Sequence, residues 1–142
     1  MNRPPISFVE KVITHVETKC FASITAGGFD YLEKIYAQYL ANEKNDEWLF
    51  KYLEKQFQWL DVPPIWIERE PAWPFCSGNP MLFVAQHSIG SSHHDIAGSG
   101  YTIYLFVGRK EQKNGYQLEF REIVQSEAMA KTINSIFDKI PN

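Results

Sequence analysis

The chain has no block of Lys or Arg, no long apolar run and only two cysteines, and each shortage closes off a class of function. Fourteen basic residues against seventeen acidic ones give a net charge of −3 with no cationic cluster, so nothing draws the chain toward a phosphate backbone. Nucleic acid is not expected as a partner. No stretch approaches the roughly 18 consecutive apolar residues of a membrane span, so no membrane association is expected either. Met1 to Lys19 carries charges every few residues and lacks the apolar segment of a secretory signal, which points to the cytoplasm. Cys20 and Cys76 suit unpaired thiols in a reducing compartment. There is no G-x-G-x-x-G, no P-loop and no H-E-x-x-H, and Ala97 stands where a G-x-S-x-G elbow around Ser99 needs glycine.

What is present is an ordinary globular composition, 44% hydrophobic and 22% charged over 142 residues, with an unusual 15% of aromatics. That length fits one domain, residues 1–142, large enough to bury a core without disulfides or metal. Periodicity divides it into a helical part, 1–62, and a sheet part with a closing helix, 63–142. Ser7 to Glu10 reads as a capping box ahead of Val9, Val12, Ile13, Val16 and Cys20 at helical spacing. Asp30 to Glu33 repeats the box before Leu32, Ile35, Tyr36, Tyr39 and Leu40. Asn45 or Asp46 caps a third helix through Leu49, Tyr52, Leu53, Phe57 and Leu60, ended by Pro63-Pro64.

Beyond that pair the period changes from 3.6 to 2. Ile65–Glu68, Met81–Gln86, Tyr101–Val107 and Tyr116–Val124 read as strands rich in aromatic and β-branched residues. Asn114-Gly115 suits a type I′ hairpin turn, which sets Lys110 opposite Glu119. Ser126 is positioned to cap a last helix through Met129, Ile133, Ile136, Phe137 and Ile140. The expected fold class is α+β: three N-terminal helices, a small mainly antiparallel sheet of about four strands, and a C-terminal helix. Leu32, Ile35, Tyr39, Leu53, Phe57, Phe83, Leu105, Phe120, Ile133 and Phe137 are its expected core.

Two constellations suggest chemistry. His87, His93, His94 and Asp95 are suitable ligand types for a divalent ion, and Cys76 with one of these histidines would make a nucleophile and base pair. Neither follows a known spacing, so no catalytic residue is assigned and no cofactor is implied. Glu68, Glu70, Glu119 and Glu122 fit the solvated side of the sheet. The surplus aromatics point elsewhere. Trp59, Trp66 and Trp73 flank a Pro-rich, extended segment where a fixed indole is a suitable anchor for a protein partner.

From Trp73-Pro74 through Gly78-Asn79-Pro80-Met81-Leu82-Phe83-Val84-Ala85-Gln86, a loop to Gly100, Tyr104-Leu105-Phe106-Val107 and a return strand to Val124, the chain resembles the YwqG-like family of bacterial proteins. The resemblance implies a bacterial α+β protein and supplies no catalytic residues. In this strand Phe83 and Ala85 are expected to share a face and the Gln86 amide to bridge the loop that follows. Two functions are carried forward: a non-catalytic protein-binding domain, for example an immunity protein covering a basic toxin, and a metal-dependent or Cys/His enzyme built on the histidine loop.

Overall fold

The computed structural model describes residues 3–24, 28–89 and 100–126. Helix α1 (Ile6–Lys19) buries Phe8, Val12 and Val16. No side chain caps it. Its first N–H groups are taken up instead by the Pro5 carbonyl, which accepts from Phe8 at 3.0 Å and Val9 at 3.1 Å, so the Ser7–Glu10 box is not used. Helix α2 (Phe29–Ala41) starts directly after Gly28 and buries Tyr31, Leu32, Ile35 and Tyr39. Helix α3 (Asp46–Gln56) is capped by Asn45, whose Oδ1 accepts the Trp48 N–H at 3.1 Å. The three helices are tied at one point. The Tyr39 hydroxyl donates to Asp46 Oδ1 at 2.6 Å and the Lys11 ammonium to the same oxygen at 3.0 Å.

The apolar pattern through Leu60 predicts a longer third helix. It ends at Gln56 because the following residues pair with the sheet: Phe83 donates its N–H to the Gln58 carbonyl at 3.0 Å, and Leu60 donates to the Phe83 carbonyl at 2.8 Å.

The expected single sheet of about four strands is corrected, among the described residues, to two sheets. The smaller is a hairpin, β1 (Phe75–Cys76) and β2 (Asn79–Pro80), turning through Ser77 and Gly78 with φ of +49° and +77°, as a type I′ turn requires. The larger is antiparallel in the order β3 (Leu82–Ile89), β4 (Tyr101–Gln112), β5 (Gly115–Ser126). Ile65–Glu68 is not a strand. Its N–H groups bond to side chains instead of a ladder: Ile65 donates to Gln86 Oε1 at 2.7 Å, while Ile67 and Glu68 donate to Gln125 Oε1 at 3.0 and 3.2 Å. Gln86 thus holds the segment before its own strand, while the loop it is expected to bridge lies outside the described residues. Ser126 is the last residue of β5; the expected helix beyond it, with Met129, Ile133, Ile136, Phe137 and Ile140, lies outside the described residues.

In the β4–β5 hairpin Gln112 pairs with Gly115, so Lys113 and Asn114 make the turn and Gly115 takes the positive φ, +125°. Lys110 consequently faces Gln117 and not Glu119. The slip from the expected register is two residues, which leaves every side chain on the same face. Between β3 and β4 a bulge at Val84 does the opposite: Phe83 pairs with Phe106 and Ala85 with Leu105, so Phe83 and Ala85 lie on opposite faces.

One face of the large sheet packs on the helices. Phe83, Tyr104 and Phe106 are fully buried there, with Phe106 edge-on to Trp73 at 5.0 Å between ring centroids and Trp73 edge-on to Phe57 at 5.8 Å. Gly108 lets β4 pass the small hairpin, since a Cβ there would stand 2.7 Å from that of Cys76. Of the expected core, Leu32, Ile35, Tyr39, Leu53, Phe57 and Phe83 are buried. Leu105 is half-buried and Phe120 exposed, because both lie on the other face of the sheet. β4 is apolar on both sides, so alternation alone does not say which side the helices cover.

Candidate functional site

Alternation along three paired strands builds the outer face. From β4 it takes Tyr101, Ile103, Leu105 and Val107, and the register sets Ile89, Ala85 and Leu82 of β3 and Val124, Phe120 and Leu118 of β5 beside them. Four large apolar side chains on β5 are more than half exposed: Tyr116 at 58%, Leu118 at 53%, Phe120 at 61% and Val124 at 57%. Isolated exposed apolar residues are common, whereas a contiguous patch on paired strands marks an interaction surface. Its charged groups are few. Arg109 places its guanidinium over the Tyr116 ring at 4.8 Å, and Glu122 sits exposed between Phe120 and Val124.

The inner face carries the polar residues that usually go outside. Thr102 and Gln125 are buried. Gln125 accepts two N–H groups from the 65–69 segment and donates its amide to the Arg69 carbonyl at 3.0 Å. The Tyr104 hydroxyl donates to the Ile65 carbonyl at 2.7 Å and accepts the Ile67 N–H at 3.2 Å. These bonds clamp the Pro-rich segment across one end of the sheet and stand in for the strand pairing it lacks. Gln125 and Tyr104, turned inward, satisfy backbone, and apolar residues turned outward satisfy nothing within the described chain.

The sequence-derived anchors fall differently. Trp73 is 2% exposed, and its indole N–H donates to the Met81 carbonyl at 2.9 Å; it is a core residue and presents no surface. Trp66 is half-buried over Tyr104, with ring centroids 4.4 Å apart, and its N–H donates to the Phe21 carbonyl at 2.9 Å. Trp59 is half-buried and bridges to Phe83. The exposed apolar residues of that region are aliphatic: Leu60, Val62 and Ile65. The Phe120 stripe was missed although its signal was present, in that Tyr116, Leu118 and Phe120 alternate with Gln117, Glu119 and Arg121.

Cys76 and His87 are not brought together. His87 pairs with Ile103 on the outer face, while Cys76 is buried against Gly108 on the inner one. The Cys76 thiol donates to Glu119 Oε2 at 3.2 Å. Burial first, and that hydrogen bond second, raise its pKa and keep it protonated, the reverse of what a nucleophile needs. The same bond holds the Glu119 carboxyl below its ordinary range, aided by Arg121. Both cysteines are free and buried. His93, His94 and Asp95 lie outside the described residues, and among the described residues no three His, Cys, Asp or Glu side chains stand together as a metal site would need.

A cavity of about 390 Å³ opens beside the small hairpin, lined by Cys76, Asn79, Pro80, Leu82, Arg109 and Leu118 among others. It is half open and mostly apolar, and it merges with the β5 end of the outer face through Leu118. Among the described residues no helix is long and apolar enough to cross a membrane. No family model, curated protein or solved structure matches the chain.

Proposed function

We propose that this chain is a non-catalytic protein-binding module, that the outer face of β3–β4–β5 is its docking surface, and that its partner is a basic protein, as a toxin covered by an immunity protein would be. The observation that carries this reading is the row Tyr116, Leu118, Phe120 and Val124, more than half exposed on a strand paired along its whole length with β4. Side chains already fixed on a sheet lose little freedom on binding, which is how a modest patch becomes a tight site. Phe120 and Leu118 are the central anchors; Glu122 and the net charge of −3 favour encounter with a basic surface. The resemblance of residues 73–124 to the YwqG-like family fits a binding role, since it brings no catalytic residue. A cytoplasmic location fits the same reading.

The test is reconstitution. A protein cross-linked to the chain in the cell that makes it is identified, purified and titrated against wild type and Phe120→Asp. Supporting results are a one-to-one complex, weakened by at least about a hundredfold in the variant, with an association rate that falls with salt. Equal affinity for both proteins, or no complex from the purified pair, overturns the proposal.

A further inference from the structure

We infer that two copies of this chain join along the outer edge of β5, making one continuous antiparallel sheet centred on Phe120. This goes beyond the docking reading, because the strand edge and the sheet face are different surfaces.

β5 ends the order β3-β4-β5, and its twelve residues have a strand partner on one side only among the described residues. A long unpaired edge offers a row of backbone donors and acceptors to another strand. The direction of that row follows from one hydrogen bond. Ser126 donates its N–H away from β4, to Glu68 Oε2 at 2.9 Å, and successive residues of a strand point their backbone groups to alternate sides. The N–H and carbonyl groups of Tyr116, Leu118, Phe120, Glu122 and Val124 therefore face the outer edge as well. The clamped 67–69 segment occupies the end of this edge at Gln125 and Ser126, and among the described residues Tyr116–Val124 is left open to pairing.

A second β5 running antiparallel about a two-fold axis forms hydrogen bonds only when even-numbered residues meet even-numbered ones, so only registers centred on a residue qualify. Centring on Glu119, Arg121 or Glu122 sets identical charges directly opposite each other, which is destabilising. Centring on Leu118 shortens the ladder and leaves Arg121 without a counter-charge. Centring on Phe120 uses the whole open stretch. Glu119 then faces the partner's Arg121, Arg121 faces the partner's Glu119, Tyr116 faces the partner's Val124, and the two Phe120 rings lie side by side. Both Glu119 and Arg121 remain part exposed and within 3.4 Å of each other along their own strand, so they can exchange partners without losing an ion pair. The mismatch in this register, Leu118 opposite the partner's Glu122, falls on the outer face, where Glu122 stays hydrated. The outer faces of the two copies become one surface.

Sedimentation velocity over roughly a hundredfold range of concentration tests the assignment. The expected result is a shift from the mass of one chain to that of two. Arg121→Glu raises the midpoint concentration by at least about tenfold, and the exchange Glu119→Arg with Arg121→Glu brings it back toward wild type, because opposite charges again face each other. Glu122→Pro removes one outward N–H without touching the β4 ladder; it abolishes association while the circular dichroism and melting of the monomer stay as in wild type. Glu122→Pro decides the matter if the charge exchange fails to fold. A chain that stays monomeric throughout the range overturns the inference, and so does a dimer indifferent to Glu122→Pro, which would place the contact on the face. A chain that stays monomeric leaves binding of a different protein by Phe120 untouched, so the two readings fail separately.

Discussion

The two faces of the β3–β4–β5 sheet are made by the same strands one residue out of phase, and both are rich in large apolar side chains. On the inner face Phe83, Tyr104 and Phe106 are buried against the helices, Trp73 and the clamped 65–69 segment. On the outer face Phe120, Leu118 and Val124 project from β5 into solvent. Hydropathy does not separate the two. What does is the placing of polar groups: Gln125 and the Tyr104 hydroxyl lie inside and satisfy backbone of the 65–69 segment that strand pairing leaves open, and the buried Thr102 hydroxyl shares a hydrogen bond with that of Ser88 at 3.1 Å. The outer face has apolar area and no such partners among the described residues, which makes it available for another molecule.

The largest expected effect sets the faces directly against each other. Phe106→Ala removes a fully buried ring and is expected to cost roughly 3–5 kcal/mol, whereas Phe120→Ala stays within about 0.5 kcal/mol of wild type. Denaturant unfolding of both variants checks this, and similar costs for the two would erase the distinction.

Dryness behind the inner face is read from Cys20. Burial first, and the charge of Glu54 second, push its thiol up to about 11, against an unfolded value of about 9. The folded state thus holds the proton more tightly. Its stabilising contribution is intact below about pH 9 and is lost as pH rises to about 11, a loss of roughly 2–3 kcal/mol. Stability measured at about pH 8 and about pH 11 should fall further in wild type than in Cys20→Ala by that amount. Equal losses would mean that water reaches the thiol.

The inner clamp is tested by Gln125→Leu. The change keeps bulk but leaves the Glu68 N–H without its acceptor, the Arg69 carbonyl without its donor and the Ile67 N–H with the Tyr104 hydroxyl alone, at roughly 1–3 kcal/mol. Unchanged stability, with unchanged hydrogen-exchange protection at Ile67 and Glu68, would show that the clamp is dispensable. The smallest effect runs the other way. The Tyr31 hydroxyl is buried with no hydrogen-bond partner among the described residues, so Tyr31→Phe should stabilise by about 1 kcal/mol in thermal melts. A loss of stability there would reveal a hidden partner.

Much of this architecture is legible in the residues. The 3.6 periodicity locates the three helices of the described residues, and Asn45 caps the third where its side chain predicts. The β-branched and aromatic runs locate β3, β4 and β5. What local pattern does not carry is each choice made by tertiary contact. The segment 65–68 has strand composition, yet Gln86 and Gln125 take its N–H groups, and the bulge at Val84 turns Ala85 outward. The Ser77-Gly78 turn was a readable hairpin signal whose strands were too short for periodicity to register. The docking face was the least legible part. Tyr116, Leu118 and Phe120 have the alternation of a core-facing strand, and only the buried polar partners of the opposite face reveal that they point away from the core.

Phe120→Asp tests the central claim most directly, because it sets a charge in the middle of the outer face. If that face is solvent in the free chain, as the exposure of Phe120 requires, the variant unfolds within about 0.5 kcal/mol of wild type and loses only its binding. A loss of several kcal/mol, on the scale of Phe106→Ala, would show that the outer face is core and contradict the account.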